Sequence, residues 1–175
     1  DYVRTLRLGP GLEPGTDIGP LIGERYRKKG EEHVAEARAK GAQVLTGGRR
    51  PPQLERGYFY EPTVLTGVDH SHRIMREETF GPTIPIMTYS SFDQAIDLAN
   101  DCDYGLGANL YTNDPKKVKQ YYEEVKAGTC WVNDPLTDAG IVEAVDRDGT
   151  IVFISRVAGA PERHRTNVGQ PHVHH

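Results

Sequence analysis

The chain has 175 residues, of which 37% are hydrophobic and 8% aromatic, as is usual for a soluble globular protein. Its formal net charge of -4, with no long run of Lys or Arg, excludes the electrostatic footprint of a nucleic-acid-binding protein. The longest apolar run, residues 151–154, is far shorter than the roughly 18 residues of a membrane span, which excludes a membrane protein. With two cysteines and no apolar signal region, we expect a cytoplasmic protein.

The first part of the chain predicts a loop, a helix and extended segments. Pro and Gly residues between positions 9 and 17 prevent regular structure. Apolar residues then recur at helical spacing over 21–37, and Gly41 provides a left-handed stop. Residues 43–45 predict a short strand, and residues 57–68 predict extended chain interrupted by a proline.

A strand and a capped helix follow. Residues 84–87 predict a strand, in which Pro85 indicates a sheet edge or a strand beginning. Ser91 and Gln94 have the spacing of a capping box, in which each side chain satisfies a free amide at the helix start. The apolar residues of this helix fall on one face, namely Phe92, Ala95, Ile96 and Ala99.

The alternation then repeats. Residues 106–111 predict a strand, and Asp114 caps a second helix that we expect to end at Gly128. The buried stripe of that helix is predicted to be Val118, Tyr121, Tyr122 and Val125. A strand over 129–133 completes a βαβαβ unit. The fold class is therefore α/β, with a mostly parallel open sheet and flanking helices.

The last part of the chain has a different character. Two apolar stretches, 141–145 and 150–154, flank an Asp-Gly turn and predict a β-hairpin. Residues 159–175 contain few large apolar groups and are expected to be a flexible tail. We therefore divide the chain into residues 1–138, a hairpin extension over 139–158, and the tail.

Several patterns typical of other functions are incomplete. Gly-Pro-Gly at 9–11 and Gly-Leu-Gly at 105–107 begin like dinucleotide-binding loops, but neither has the third glycine. The phosphate-loop and serine-hydrolase patterns are not found. Residues 146–149 resemble part of a calcium loop but lack its distal glutamate, which favours a hairpin turn.

The histidines offer little support for a metal site. His70 and His72 are spaced to present two imidazoles on one side of an extended segment, which would suit zinc, but no third ligand stands nearby in sequence. Solvated loop histidines are the favoured interpretation. His172, His174 and His175 belong to the expected tail.

Both cysteines are predicted to be structural. Cys102 lies between Asp101 and Asp103, whose negative charges oppose formation of the thiolate. Cys130 lies in an apolar strand, where burial raises a thiol pKa. We therefore predict no catalytic residue and no metal site in this chain.

One run combines two carboxylates, an aromatic ring and a Gly-Pro turn immediately before a predicted strand. Residues 77–82, Glu-Glu-Thr-Phe-Gly-Pro, resemble the E-E-x-F-G-P motif of the NAD(P)-dependent aldehyde dehydrogenases. Further motifs agree in order and spacing: G-P-L-I at 19–22, G-Y-F with E-P-T-V at 57–64, A-N with Y-G-L at 99–106, and G-T-C-W-V-N at 128–133. The resemblance covers about residues 1–138, the C-terminal part of the family's catalytic domain.

The resemblance implies two cofactor contacts, with NAD or NADP as the cofactor. Glu78 corresponds to the glutamate that hydrogen-bonds the nicotinamide ribose, and Phe80 to the phenylalanine that contacts the nicotinamide ring. A carboxylate can accept from two ribose hydroxyls, and a ring face restricts a flexible nicotinamide.

The resemblance also implies that the family's reaction needs groups which this chain does not match. In relatives the nucleophilic cysteine, the general-base glutamate and most cofactor contacts precede the matched region, so we expect the chain alone to be inactive and to bind nucleotide weakly or not at all. The family's P-F-G-G and R-E-L-G segments are not found after residue 138, and residues 145–153 instead show a weak similarity to the opening hairpin of a PAS sensor domain.

Three interpretations remain open. The first is the C-terminal portion of an aldehyde dehydrogenase, which oxidises aldehydes to carboxylic acids in the complete enzyme. The second is a non-catalytic binding or assembly module, which forms a homo-oligomer or associates with a full-length dehydrogenase through uncovered apolar surface. The third is a fragment of a longer gene product. The substrate and the choice of NAD or NADP are not fixed by the sequence.

Overall fold

A computed structural model describes residues 2–134, 143–145 and 151–155, the last two segments by their backbone alone. The predicted turn at 146–149 and the predicted tail at 159–175 lie outside the described residues.

The elements alternate in the order that the sequence predicts. The helices are a 3₁₀ turn at Tyr2–Thr5, α1 at Glu24–Ala39, α2 at Arg73–Arg76, α3 at Phe92–Asn100 and α4 at Pro115–Glu124. The strands are β1 at Gln43–Thr46, β2 at Thr63–Thr66, β3 at Thr83–Thr88, β4 at Gly107–Tyr111, β5 at Thr129–Val132, β6 at Glu143–Val145 and β7 at Ile151–Ser155. Within these residues, no helix has both the length and the apolar character needed to cross a membrane.

The sheet is mixed but mostly parallel, and its order is β1-β2-β3-β6-β7-β4-β5. Strands β2, β3, β6, β4 and β5 run in one direction, and β1 and β7 run against them. The predicted parallel βαβαβ unit is confirmed, as is the antiparallel pairing of the hairpin strands β6 and β7. These two strands lie between β3 and β4, which the sequence did not predict.

The position of Pro85 differs from both alternatives that the sequence predicts, a sheet edge and a strand beginning. Strand β3 lies inside the sheet, between β2 and β6, so it is not an edge strand. Pro85 pairs with Leu65 of β2, and the pairing with β6 begins one residue later, at Ile86. Pro85 is the third of the six residues of β3, so it is not at the beginning of the strand either, although it lies one residue before the ladder with β6 starts.

Helix α3 has the predicted cap with a different second bond. The Gln94 amide donates to Ser91 Oγ at 3.2 Å, as in a capping box. Gln94 Oε1, however, accepts from the backbone N–H and the hydroxyl of Ser90, at 2.7 and 2.8 Å, and not from the Ser91 amide. The side chain thus satisfies polar groups one residue earlier than predicted.

Helix α4 begins as predicted and ends four residues early. Asp114 Oδ1 accepts from the Lys116 amide at 2.8 Å. At the other end, Asn100 donates to the Glu124 carbonyl and accepts from the Lys126 amide, which satisfies the terminal backbone groups before Gly128 is reached. Tyr121 is buried as predicted, whereas the prediction for Tyr122 is wrong, since it is 48% exposed.

Two hydrophobic clusters form the core. One lies between α1, α2 and the first three strands, with Leu65 and Met75 fully buried. The other lies between α3, α4 and β4, around Tyr121 and Leu110. The partly buried Leu98 packs against both clusters, which places α3 at the boundary between the two halves of the core.

Candidate functional site

The loop formed by residues 77–82 lies at the amino end of β3 and is joined to its neighbours by hydrogen bonds. The Thr63 amide, at the start of β2, donates to the Pro82 carbonyl at 2.8 Å. The Glu78 amide donates to the hydroxyl oxygen of Tyr104, which precedes β4, at 3.3 Å. The loop is therefore tied to the amino ends of both β2 and β4.

The other motifs meet along the same edge of the sheet. The Gly128 amide, just before β5, donates to the Gly105 carbonyl at 2.8 Å. The Leu21 amide donates to the Tyr58 carbonyl at 3.0 Å. All five motifs singled out in the sequence thus belong to one connected set of loops.

The Glu77 carboxylate is used within the protein. It accepts from the Arg73 guanidinium at 2.8 and 3.1 Å and lies 3.5 Å from Lys29 Nζ. The bonds from Arg73, assisted by His33, lower the pKa of Glu77 to about 2, against the opposing effect of burial. Glu77 therefore serves as an anchor for the loop.

His33 is a buried partner of this loop that the sequence analysis missed. Its side chain is completely buried; Nε2 lies 3.2 Å from Glu77 Oε2, and Nδ1 lies 2.6 Å from Thr79 Oγ1. Burial lowers its pKa, and the neighbouring Glu77 carboxylate opposes this effect in part. Helical spacing from Gly30 to His33 and Ala37 would have placed it on the buried face of α1.

The two predicted cofactor contacts, Glu78 and Phe80, are only partly engaged by the rest of the described chain. Within the described part of the chain, the Glu78 carboxylate makes no hydrogen bond or ion pair, whereas its backbone is held by Tyr104. Phe80 is 56% exposed, and its ring centroid lies 5.5 Å from that of Tyr26 in a tilted arrangement. The loop is thus fixed while a carboxylate and an aromatic ring remain available.

The other candidate groups have structural partners. His70 Nδ1 lies 2.7 Å from Asp101 Oδ2, and His72 Nδ1 lies 3.0 Å from Asp69 Oδ1. The prediction of solvated loop histidines is wrong, because only 13% and 5% of these two side chains are exposed. Among the residues that the structure describes, no three His, Cys, Asp or Glu side chains are grouped to hold a metal.

The glycines at 105–107 serve packing and backbone pairing. A Cβ on Gly107 would lie 2.6 Å from the Trp131 ring, so a side chain there would collide with the neighbouring strand. Cys102, in the preceding loop, is placed to donate its thiol proton to the Tyr104 and Ala99 carbonyls, at 3.2 and 3.6 Å. These contacts agree with a structural thiol.

Acid is expected to destabilise the chain through His33 and Glu77. Above pH 6.5 the His33 imidazole is neutral in both the folded and the unfolded chain. Below it the unfolded chain takes up a proton that the buried His33 resists, so stability falls as the pH decreases. Stability falls again as the pH decreases from 4.5 towards 2, because Glu77 takes up a proton in the unfolded chain at a higher pH than in the folded chain. Urea unfolding as a function of pH measures both losses.

The matched variant for this prediction is His33→Gln, which removes the titrating ring. Its free energy of unfolding should be lower at neutral pH and should depend less on pH between 6.5 and 4.5. Equal pH slopes for the variant and the parent chain in that interval would contradict the role assigned to His33.

Comparison with known proteins gives a consistent result. Residues 1–143 match the Aldehyde dehydrogenase family, beyond the boundary at 138 that the motifs predict. The chain is 40% identical over 132 residues to the peroxisomal aminoaldehyde dehydrogenase 1 of Pisum sativum, and 39% identical over 133 residues to betaine aldehyde dehydrogenase of Bacillus subtilis (strain 168). These alignments cover 75% of this chain but 26% and 27% of the relatives, so the chain spans about a quarter of their length.

Comparison with solved structures identifies proteins of the same family. The structure of betaine aldehyde dehydrogenase from Staphylococcus aureus, solved in complex with NAD+, matches with a TM-score of 0.74 and 37% sequence identity. The match covers 82% of this chain and 29% of that chain. Because the family match, the sequence identity and the fold agree, the chain belongs to the aldehyde dehydrogenase family.

Proposed function

We propose that this chain provides the part of an NAD(P)-dependent aldehyde dehydrogenase that holds the nicotinamide half of the cofactor, through Glu78 and Phe80. The observation that carries the proposal is that the loop at 77–82 contains both groups bonded to the rest of the protein and side chains that are available to a ligand. Glu77 and the loop backbone are bound by the fold, whereas the Glu78 carboxylate and the Phe80 ring are left available.

The chemistry of these two side chains fits a nicotinamide riboside. A glutamate side chain has two acceptor oxygens, which suit the paired hydroxyl donors of a ribose. An exposed aromatic ring offers an apolar face to a flat heterocycle, and contact with Tyr26 restrains the Phe80 ring. Bound NAD(P)+ supplies the hydride acceptor, and the protein's contribution is to fix the orientation of the ring.

We propose that the chain alone does not oxidise aldehydes. A catalytic thiol requires a nearby base or cation that favours the thiolate. Cys102 is instead placed to donate to two backbone carbonyls, and Cys130 lies in β5 within a packed region next to α4. We therefore assign neither thiol the role of nucleophile. We also propose a cytoplasmic setting, because no disulfide joins Cys102 and Cys130, as is usual in a reducing compartment.

A chimera tests the proposed function. Residues 1–134 of this chain replace the aligned segment of the Bacillus subtilis betaine aldehyde dehydrogenase, which is 39% identical. We expect the chimera to bind NAD+ and to form NADH with betaine aldehyde, and the 175-residue chain alone to form none. A chimera that unfolds cooperatively on heating but does not bind NAD+ would contradict the proposal, as would NADH formation by the chain alone that is lost when Cys102 or Cys130 is replaced.

An assembly module is a second candidate function, favoured by exposed apolar side chains close to the loop. Ile22 is 76% exposed and Tyr58 44% exposed, and the adjacent Leu21 amide is bonded to the Tyr58 carbonyl. Such a surface suits a homo-oligomer or a full-length dehydrogenase as partner. The Glu78→Gln variant of the chimera separates the two functions, since a module without a cofactor role would keep its KM for NAD+ when the Glu78 carboxylate is removed.

A further inference from the structure

His33 lies near the middle of α1 and contacts the loop on both sides of Glu78. Nε2 is 3.2 Å from the carboxylate of residue 77, and Nδ1 is 2.6 Å from the hydroxyl of residue 79. We infer that His33 is a positioning residue, which holds Glu77 and Thr79 and thereby sets the backbone that carries Glu78. The inference rests on the proposed role of Glu78 in cofactor binding.

Burial favours the neutral form of the His33 imidazole, and the carboxylate partner assigns its tautomer. An ionised carboxylate only accepts hydrogen bonds, so Nε2 carries the proton that is donated to Glu77. In the neutral ring Nδ1 is then an acceptor, and the Thr79 hydroxyl donates to it. One neutral histidine therefore satisfies a charged group and a hydroxyl two residues apart.

Residues 77–79 are held from other directions as well. Arg73 of α2 binds the Glu77 carboxylate, and Lys29 of α1 lies beside it. Among the described residues, these two cations and Glu77 are the charged groups that act on His33. Since Tyr104 accepts from the Glu78 amide, the residue between the two anchored positions has few backbone conformations left.

The identity of residue 33 supports a role beyond packing. Its neighbours on the buried face of α1, Val34 and Ala37, are apolar, and each is no more than 1% exposed. A fully buried imidazole loses its hydration, a penalty that an apolar side chain at the same place would avoid. The two hydrogen bonds between His33 and the loop offset this penalty, and an apolar side chain could not make them.

The test uses the full chain and two substitutions at Thr79. Thr79→Val keeps the shape of the side chain but removes the hydroxyl donor, whereas Thr79→Ser keeps the donor. Amide hydrogen exchange, followed by NMR, reports the order of the loop. We expect Thr79→Val to accelerate exchange of the Glu78 amide by about tenfold, and Thr79→Ser to restore the parent rate.

Exchange at the strand amides of Leu65 and Leu110 separates positioning from general stability. Both residues are fully buried in the core, so their amides report global unfolding. We expect their rates to be unchanged in Thr79→Val. Equal acceleration at Glu78, Leu65 and Leu110, or none at Glu78, would overturn the inference. The ¹⁵N shifts of His33 in the parent chain provide a measurement without substitution, and a proton on Nδ1 alone would also overturn it.

The outcomes also distinguish this inference from the proposed function. In the chimera, Thr79→Val should raise KM for NAD+ more than it changes kcat, because a mispositioned Glu78 weakens cofactor binding. If Thr79→Val loosens the loop while removal of the Glu78 carboxylate leaves NAD+ affinity unchanged, the proposed function fails and His33 remains an anchor of the loop. If the loop keeps its exchange rates in Thr79→Val, the inference fails by itself.

Discussion

Replacement of Glu78 by glutamine in the chimera is expected to lower kcat/KM for NAD+ by about thirtyfold. The amide keeps the size of the side chain but has one acceptor oxygen in place of two and carries no charge. Loss of a hydrogen bond to a charged group is worth about 2 kcal/mol, which corresponds to that factor. Steady-state kinetics with varied NAD+ and saturating aldehyde measure the change.

Glu55 provides the matched control for this substitution. It is an exposed glutamate in the segment before β2, and Glu55→Gln removes the same charge from the same chain. We expect the Glu55 variant to keep the kinetics of the parent chimera. A similar loss in both variants would attribute the effect to net charge, and an unchanged Glu78→Gln chimera would remove Glu78 from the cofactor site.

Gly47→Ala is expected to destabilise the fold more than any other glycine-to-alanine substitution in the segment between β1 and β2. Gly47 has φ of +70°, and a Cβ there would lie 2.2 Å from the Pro62 carbonyl oxygen. The obstacle is backbone, so the start of β2 would have to move. Left-handed strain alone costs about 1–2 kcal/mol, and we expect a total loss of more than about 3 kcal/mol in the free energy of unfolding.

Gly41→Ala separates strain from collision. Gly41 has φ of +96°, and, apart from the adjoining residues, no atom of the described part of the chain lies within 4 Å of the position that a Cβ would take. The free energy of unfolding of Gly41→Ala should therefore fall only by the cost of the left-handed backbone conformation, about 1–2 kcal/mol. Urea unfolding of the two variants gives the difference directly, and equal losses would show that the turn at Gly47 relaxes at no additional cost.

The sequence predicts the helices and strands of the second half closely because their information is local. Asp114 and the apolar spacing of α3 and α4 act within a few residues, and the structure follows them. The early end of α4 depends on Asn100, which is 24 residues away from Glu124 in sequence. The interior position of β3 depends on a hairpin more than fifty residues later in the chain. Such long-range pairings have no local pattern.

In the candidate site, too, the residues of a local motif were predicted from the sequence, whereas the long-range contacts were not. Glu78 and Phe80 were predicted because they stand in a motif with a known family role. The groups that hold the loop were not, because the contacts of His33 with Glu77 and Thr79 join positions 44 and 46 residues apart. Tyr104 stood inside a motif, but nothing in its spacing indicated that its hydroxyl accepts from the Glu78 amide.

The bonds between the loops along the amino edge of the sheet have an evolutionary consequence. Thr63 to Pro82, Gly128 to Gly105 and Leu21 to Tyr58 are main-chain pairs, which are indifferent to the identity of most side chains. Point substitutions at exposed positions can therefore accumulate in these connections without breaking them. A one-residue insertion or deletion would shift a donor past its acceptor, so we expect these loops to tolerate a change of length less well than a change of side chain.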